Sequence, residues 1–327
     1  MKSFWDILPR PLFVMAPMAD VTDPAFRKLV AKYGKPSITY TEFVSADGLF
    51  HTREIKKMSD AENPLMRDLQ FSEAERPIVA QIFSANPAMI AYGTKLAHEL
   101  GFDGVDINMG CPDKAIERQG AGACLIKTPE VAQGLIRAAQ EASPLPVSVK
   151  TRIGYNKVEL EEWLPELLAA KPAAITLHLR TRKEMSAVPA HWELMKRAVE
   201  IRDSVDRSIP ILGNGDVKSL AQAREKVAQS GADGVMVGRG IFGNPWIFAG
   251  RTFEDSTPQE KLAALVELAQ EFEQLSPPKS FAILKKHIKA FVAGYDGAAE
   301  LRAKLMAAEN AEELAAGMHA HDRAPGR

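Results

Sequence analysis

Residues 209–240, "IPILGNGDVKSLAQAREKVAQSGADGVMVGRG", contain two short apolar runs separated by one helical pattern. Each run ends in glycine and polar residues, which is typical of a strand buried on both faces of a parallel sheet. The intervening "SLAQAREKVAQS" has helical periodicity and is followed by Gly231, a residue suited to a helix C-terminus. The stretch therefore predicts a strand–helix–strand unit with parallel strands.

The same kind of unit recurs along the chain. Six more apolar runs precede this one: "LFVMAP" (12–17), "SITYTEF" (37–43), "PIVAQIF" (77–83), "GVDINM" (104–109), "PVSVKTR" (146–152) and "AITLHLR" (174–180). Eight such units over about 240 residues match the size of an α/β (β/α)8 TIM barrel. A doubly wound sheet is the structural alternative, but it would prefer a G-x-G-x-x-G turn after the first strand. Residues 16–26, "APMADVTDPAF", contain no glycine, which favours the barrel.

From about Pro258 onward the pattern is helical only. The segments are "PQEKLAALVELAQEFEQL" (258–275), "FAILKKHIKAFVAGY" (281–295) and "AAELRAKLMAAENAEELAAG" (298–317). We therefore predict a barrel over residues 1–250, an all-helical C-terminal domain over 251–317 and a flexible tail over 318–327.

Composition limits the class of protein. The chain has 327 residues, 46% hydrophobic and 25% charged, with a net charge of −1. These values are ordinary for a globular enzyme and give no overall signal for nucleic acid. Only two cysteines are present, without a CxxC pair, so we expect no disulfide framework, no metal site and a reducing, cytoplasmic setting. Short apolar runs cut by prolines near the N-terminus predict neither a signal peptide nor a membrane span.

Polar and glycine residues gather where the predicted strands end, which is where barrel enzymes carry their active sites. "GNGD" and "GRG" follow the last two strands, where backbone N–H groups can approach a phosphate, and Arg239 adds a permanent charge. Lys150 and Gln81 could bind the polar edge of a flavin ring, with the lysine stabilising its reduced, anionic form. Taken singly, Lys150 could reach the rim, and His178 and Gln81 could be buried core residues. The predicted FMN-binding residues are Ala16, Pro17, Met18, Gln81, Lys150, His178, Asn214, Gly215, Asp216, Gly238 and Arg239.

The motifs at these positions together resemble the tRNA-dihydrouridine synthase family. The matching stretches, in the family's order, are "APMADVTDPAFR", "TEFVSADGL", "DINMGCPDKAIERQGAGACL", "SVKTRIG", "HLRTRKEM", "GNGDV" and "GVMVGRGIFGNPWIF". The resemblance implies an FMN-bound barrel that uses NADPH to reduce a uridine of tRNA to dihydrouridine. It assigns Cys111 as the proton donor. It also implies contacts to the uracil or its phosphate from Asn108, Arg152, Arg180 and Arg182.

A thiol suits the role that the resemblance gives to Cys111. Reduction of the uracil 5,6 double bond needs a hydride on the carbon β to the carbonyl and a proton on the adjacent carbon. A thiol with a pKa of about 8.5 is protonated at neutral pH, yet acidic enough to transfer its proton. Cys124, in "AGACLIK", is expected to be a small buried hydrophobic residue.

The helical segment resembles the family's RNA-binding domain and supplies a basic cluster. Lys279 lies near it, and its predicted tRNA contacts are Lys285, Lys286, His287 and Lys289. A solvated helix face is the alternative for these lysines. For the whole chain, the alternatives are an FMN-dependent oxidoreductase of a free pyrimidine, resembling dihydroorotate dehydrogenases, and a non-catalytic RNA-binding protein. We expect a monomer that binds tRNA and no membrane.

Overall fold

A computed structural model of the protein describes residues 3–322. Its strands are β1 Leu12–Met15, β2 Thr39–Tyr40, β3 Val44–Ser45, β4 Ile78–Phe83, β5 Gly104–Met109, β6 Val147–Arg152, β7 Ala174–His178, β8 Ile211–Asn214 and β9 Gly234–Val237. All pairs are parallel, in the order β1-β9-β8-β7-β6-β5-β4-β2, with β3 beside β4. A bridge between Val14 and Ile38 closes the sheet into a barrel. Each of the eight predicted runs contains a strand, which confirms the TIM-barrel prediction.

Helices alternate with the strands and then continue alone. They are α1 Phe4–Ile7, α2 Pro24–Gly34, α3 Ala46–Phe50, α4 Pro64–Asp68, α5 Pro87–Glu99, α6 Lys114–Glu117, α7 Pro129–Ala142, α8 Leu160–Ala169, α9 Met195–Val205, α10 Leu220–Ser230, α11 Pro258–Glu273, α12 Lys285–Phe291, α13 Ala298–Leu305 and α14 Ala311–Asp322. The sequence marks many of these limits. Asp23 caps α2 by accepting from Phe26 N at 3.0 Å, with Pro24 in the first turn. Gly231, at φ 74°, ends α10.

The N-terminal end of the barrel is closed by side chains. Val14, Tyr40 and Met236 are fully buried in one cluster, and Trp5 of α1 packs against it with 2% exposure. Phe4 lies against Gly104, the first residue of β5. The side chains of α1 thus cover this end of the barrel, opposite the carboxyl ends of the strands.

The C-terminal helices pack on the barrel rather than standing apart from it. Phe26 and Leu29 of α2 share one core with Leu265, Leu268 and Phe272 of α11. The predicted boundary at residue 318 falls inside α14, which runs to Asp322, and residues 323–327 of the predicted tail lie outside the described residues. Within residues 3–322, no helix has both the length and the apolarity to cross a bilayer.

Candidate active site

A cavity of about 1000 Å³ lies at the carboxyl ends of the strands. Its walls come from the ends of β1, β6, β7, β8 and β9 and from the loops that follow them. Ten of the predicted cofactor residues line it, and these are Ala16, Pro17, Met18, Lys150, His178, Asn214, Gly215, Asp216, Gly238 and Arg239. The structure therefore brings together residues that lie more than 200 positions apart in the sequence.

The glycine loop after β8 is shaped for close approach of the backbone. Gly215 has φ 134°, and a Cβ atom there would lie 2.6 Å from the Cβ of Ala190. Trp192 fixes this turn by donating from Nε1 to the carbonyl of Gly215 at 2.8 Å. Only glycine satisfies both the conformation and the space. The absence of a side chain at Gly215 thus lets the backbone of this loop approach a ligand closely, as a phosphate site requires.

Asp216 connects two arginines at the edge of this loop. Its carboxylate accepts from Arg239 at 2.7 Å, from Ala190 N at 2.9 Å and from buried Arg180. Hydrogen bonding to Arg180 lowers the pKa of Asp216, so it is ionised at neutral pH. The side chain of Arg239 remains 64% exposed and supplies positive charge at the cavity mouth.

His178 is neutral in this setting. Burial, followed by the positive charges of Lys150 and Arg152, lowers the pKa of His178 far below its usual range. Its Nε2 atom lies 3.2 Å from a guanidinium nitrogen of Arg180. Since arginine can only donate, Nε2 accepts and Nδ1 carries the proton. The imidazole can therefore offer one N–H donor to a ligand.

Lys150 is a half-buried cation at the end of β6, in the wall of the cavity. Among the described residues, its ammonium group has no hydrogen-bond or ion-pair partner. Burial, followed by repulsion from Arg152, lowers the pKa of Lys150 to about 8, although Asp106 and Cys111 act in the opposite direction. A partly buried lysine without a partner is costly, so the site suits a ligand that brings negative charge or acceptor atoms.

Gln81 is the one predicted cofactor residue that does not line the cavity. It is fully buried, donates to Asp106 Oδ2 at 2.6 Å and accepts from Asn108 Nδ2 at 3.0 Å. Burial raises the pKa of Asp106 to about 6, opposed by a hydrogen bond from Ser148. In the structure, Gln81 links this carboxylate to Asn108, which matches the buried-amide alternative.

Asn108 and a glycine turn hold the backbone of Cys111 from two sides. Asn108 Oδ1 accepts from Cys111 N at 2.9 Å and from Gly110 N at 3.1 Å. On the other side, Ala123 N donates to the Cys111 carbonyl at 2.9 Å. Gly122 has φ 64°, and a Cβ atom there would lie 2.6 Å from that carbonyl oxygen. The glycines after the cysteine are therefore needed to position it.

The thiol of Cys111 is half-buried and stays protonated. It packs beside Phe83, Ile116 and Ala121. Burial raises the pKa of Cys111, while the charges of Lys150 and Arg152 pull it down. A neutral thiol beside positive groups can give up a proton and have its thiolate stabilised.

Arg152 forms its hydrogen bonds within the protein, and its predicted contact with RNA stays a prediction. It is 6% exposed and donates to the carbonyl of Gly110 at 2.8 Å. It also donates to the carbonyls of Thr181 at 3.0 Å and Met185 at 2.9 Å. A guanidinium group occupied in this way ties the Cys111 loop to the loop after β7.

Arg182 and Arg180 are also engaged in pairs. Arg182 forms a two-pronged contact with Glu117 of α6, one arm of which is 2.8 Å, and lies 5.4 Å from the ring centre of Tyr155. Arg180 is 2% exposed and pairs with Asp216, although it lines the cavity. Of these two arginines, Arg180 is the one that lines the cavity.

The basic residues of the helical segment divide into exposed and buried ones. Lys289 is exposed, and Lys285 and Lys286 are half-buried on α12. His287 has no exposed surface, because its ring lies 4.6 Å from that of Phe26 and 5.8 Å from that of Phe242. This corrects the prediction that His287 contacts tRNA. The remaining candidates are the three lysines.

Several cavity residues were not anticipated. Ser186, Lys218, Gln222, Phe242, Asn244, Phe253 and Glu254 also line it. Phe242 lies two residues after the "GRG" motif, so its position in the sequence could have indicated that it lines the cavity. Phe253 and Glu254 lie in the segment that was predicted to belong to the C-terminal helical domain, so the sequence did not place them at the cavity. Cys124 is half-buried rather than buried. Within residues 3–318, whose side chains the structure describes, no His, Cys, Asp or Glu side chains group as a metal site would need.

The fold and the site together define a barrel enzyme with a cofactor cavity at the carboxyl ends of its strands. Residues 14–324 match the family described as Dihydrouridine synthase (Dus), and the chain belongs to that family. It is 39% identical to a Bacillus subtilis protein named "Probable tRNA-dihydrouridine synthase 2" over 318 residues, which cover 96% of this chain and 95% of that one. A Staphylococcus aureus (strain COL) protein named "Probable tRNA-dihydrouridine synthase" is 37% identical, with 96% and 94% covered.

Solved structures support the fold. Histamine dehydrogenase from Rhizobium sp. 4-9 aligns with a TM-score of 0.53 and 14% identity, covering 82% of this chain and 51% of that one. Morphinone reductase aligns with a TM-score of 0.50 and 12% identity, covering 73% and 84%. At these identities the likeness concerns the barrel architecture alone.

Proposed function

We propose that this chain is a flavin-dependent tRNA-dihydrouridine synthase, which reduces the 5,6 double bond of a uridine in tRNA. We further propose FMN as its flavin and NADPH as its source of electrons. Family membership supports this activity over reduction of a free pyrimidine or a purely RNA-binding role. The observation that carries the proposal is a protonated thiol, Cys111, fixed at a strand end near Lys150. A free thiol fits the reducing cytoplasm, where we place the protein as a monomer.

The cavity residues fit a phosphorylated flavin. The N–H groups of Gly215 and its neighbours, with Gly238 and the exposed Arg239, suit the phosphate. Lys150 supplies positive charge, and the neutral His178 supplies an N–H donor. When bound, FMN supplies the hydride for the carbon β to the carbonyl.

Cys111 completes the reduction by supplying the proton. Its S–H bond breaks as the new C–H bond forms on the carbon next to the carbonyl, so hydride and proton together saturate the double bond. Lys150 and Arg152 stabilise the resulting thiolate, because both lower the pKa of Cys111. Solvent then returns the proton to the thiolate. Asn108 holds this residue in place throughout.

The activity can be tested with purified protein, NADPH and unmodified tRNA. We expect the product tRNA to contain dihydrouridine, which is heavier than uridine by two hydrogens and is detected by mass spectrometry after digestion. Free uridine and orotate serve as competing substrates. Reduction of the free pyrimidines with no reduction of tRNA would favour the alternative function. Mapping dihydrouridine in tRNA from cells that lack the protein would identify the modified position.

Arg239→Ala should weaken binding of FMN. A hydrogen bond to a charged group contributes about 1.5–3 kcal/mol, and the exposure of Arg239 places it at the lower end, so we expect roughly a tenfold rise in Kd. Titration of the apoprotein with FMN, followed by flavin fluorescence, measures it. Arg207→Ala is the matched control, since Arg207 is 86% exposed and lies outside the cavity. An unchanged Kd for Arg239→Ala would move the phosphate site elsewhere.

The double variant Lys285→Ala, Lys286→Ala should bind tRNA less tightly and with a weaker salt dependence. Each phosphate contact contributes about one unit to the slope of log K against log salt concentration, so the slope should fall by about two. Lys304→Ala is the control, because Lys304 is exposed on α13, outside this cluster. If affinity and slope both stay at wild-type values, tRNA contacts another surface.

A further inference from the structure

The segment that joins α11 to α12, residues 274–284, crosses beside α4 and the end of β2 and is held there by side chains. Gln70 donates to the carbonyl of Ser276 at 2.9 Å, and Arg67 donates to that of Pro277 at 3.2 Å. The strongest contact involves Lys279, whose ammonium group lies 2.6 Å from Glu42 Oε2. These contacts fix the segment, which we call the crossing segment, to the barrel.

The ion pair of the crossing segment is buried. The side chains of Lys279 and Glu42 are each 5% exposed, and Asp68 lies 3.2 Å from the same ammonium group. Burial raises the pKa of Glu42, and this rise is limited by Lys279. Burial alone would lower the pKa of Lys279, but Glu42 and Asp68 raise it, so the lysine is charged. Its ammonium group is paired with two carboxylates and is therefore not free to bind a phosphate.

The crossing segment forms one wall of a second, smaller pocket beside the main cavity. This pocket has a volume of about 310 Å³ and is lined by Ala19, Asp20, Glu42, Phe43, Lys279 and Ser280. Ala19 directly follows Met18, which lines the main cavity. Phe43 packs on the same small cluster, Phe83 with Ile116, as Cys111 does. The crevice between barrel and crossing segment is thus linked to the main cavity through the neighbouring residues Met18 and Ala19, and to the Cys111 cluster through Phe43.

We propose that Lys279 is a positioning residue for tRNA, holding the crossing segment as the wall of the crevice through which the target nucleotide reaches the main cavity. The inference rests on the proposed function. Lys279 acts through Glu42 and Asp68 and touches neither cofactor nor substrate. Without it, the buried Glu42 loses its counter-charge beside the proposed path of the RNA, whereas Asp68 keeps Arg67 at 3.0 Å, and the wall loses its anchor. Both effects hinder tRNA and leave the chemistry of the main cavity alone.

Lys279→Met is the variant that tests the inference. We expect the KM for tRNA to rise about tenfold or more, the size of effect typical of one lost ionic interaction. The rate at which NADPH reduces the bound flavin without tRNA should stay within about twofold of wild type, since that step does not involve the crevice. Lys279→Arg, which keeps the charge, should restore most of the affinity for tRNA.

Lys28→Met is a matched control. Lys28 also pairs with a helical-segment carboxylate, Glu271 at 2.6 Å, but this pair is exposed and lies away from the crevice. It should leave the KM for tRNA unchanged. If Lys279→Met does not yield a folded flavoprotein, the double variant Glu42→Gln, Lys279→Met is used in its place. The double variant also removes the charge of Glu42, which Lys279→Met alone would leave buried without its partner.

The outcomes separate the two proposals. A wild-type protein that reduces no uridine contradicts the proposed function, whatever the variants do. If wild type reduces tRNA while Lys279→Met loses thermal stability but keeps its KM for tRNA, the inference is wrong and Lys279 is structural only. The inference would also be wrong if Lys279→Met slowed the reduction of flavin by NADPH as strongly as it weakened the use of tRNA.

Discussion

Cys111→Ala is expected to slow the reoxidation of reduced flavin by tRNA by about 10²–10⁴-fold, the contribution of a positioned acid. The thiol is the group that supplies the proton, and Asn108 and Gly122 hold its backbone by contacts that alanine preserves. The variant should therefore keep its fold, its bound flavin and the rate of flavin reduction by NADPH. Rapid mixing of the reduced protein with tRNA, followed by flavin absorbance, measures the affected step.

Cys124→Ala is the internal control for this experiment. Cys124 is half-buried in the 3₁₀ turn Gly122–Lys127 and lies beside Lys127, whereas Cys111 lies near Lys150 and Arg152. Its replacement should leave reoxidation by tRNA nearly unchanged. If Cys111→Ala were reoxidised at the wild-type rate, the thiol would have no part in the mechanism, and another acid near the uracil would have to supply the proton.

The barrel could be predicted because each strand carries its own local signal. Runs such as "PVSVKTR" and "GVMVGRG" are apolar throughout and end in polar or glycine residues, as strands buried on both faces must. The run "SITYTEF" gave less detail, since it forms only the two residues of β2, and β3 follows separately at Val44–Ser45. Both β2 and β3 pair with β4, and this pairing determines where each of the two short strands begins and ends. The sequence of residues 37–45 alone does not indicate that there are two strands.

The position of the cavity-lining residues was easier to predict than the surroundings of the basic residues. Strand ends of a barrel must meet at one face, so a residue such as His178 can be placed in the cavity from its position alone. A charged residue at a strand end, by contrast, can face a ligand or a neighbouring loop. Arg152 faces three loop carbonyls, and nothing in "VSVKTR" shows that.

In helix α12, too, the sequence alone does not show which residues face solvent and which pack against the barrel. Spacing placed Lys285, Lys286 and Lys289 on one face, but it could not show that His287 packs between Phe26 and Phe242. Those rings belong to α2 and to the loop after β9, so the contact exists only once the helices dock on the barrel. The ion pair of Lys279 could not be predicted for the same reason, because its partner Glu42 is 237 positions away in the sequence.

Lys150→Met should slow the reduction of bound flavin by NADPH by about 10²–10³-fold, the cost of losing one preorganised group that stabilises developing charge. The lysine has no partner within the described residues, so its charge is available to a reduced, anionic flavin. Stopped-flow absorbance without tRNA measures this step. Lys157→Met, which removes an exposed lysine after the same strand, is the control. This pattern is the reverse of that for Cys111→Ala, which should alter only the tRNA step.

The pKa of Lys150 adds a pH dependence to this prediction. Burial lowers the pKa of Lys150 to about 8, so the ammonium form prevails at pH 7 and is lost as the pH rises through 8. The affinity of the apoprotein for FMN should therefore fall between about pH 7 and pH 9. This fall should be no larger than the loss of FMN affinity that Lys150→Met causes at pH 7. In the variant, this part of the pH profile should be flat, because methionine does not titrate. Equal pH profiles for the two proteins would show that the charge of Lys150 does not contribute to flavin binding.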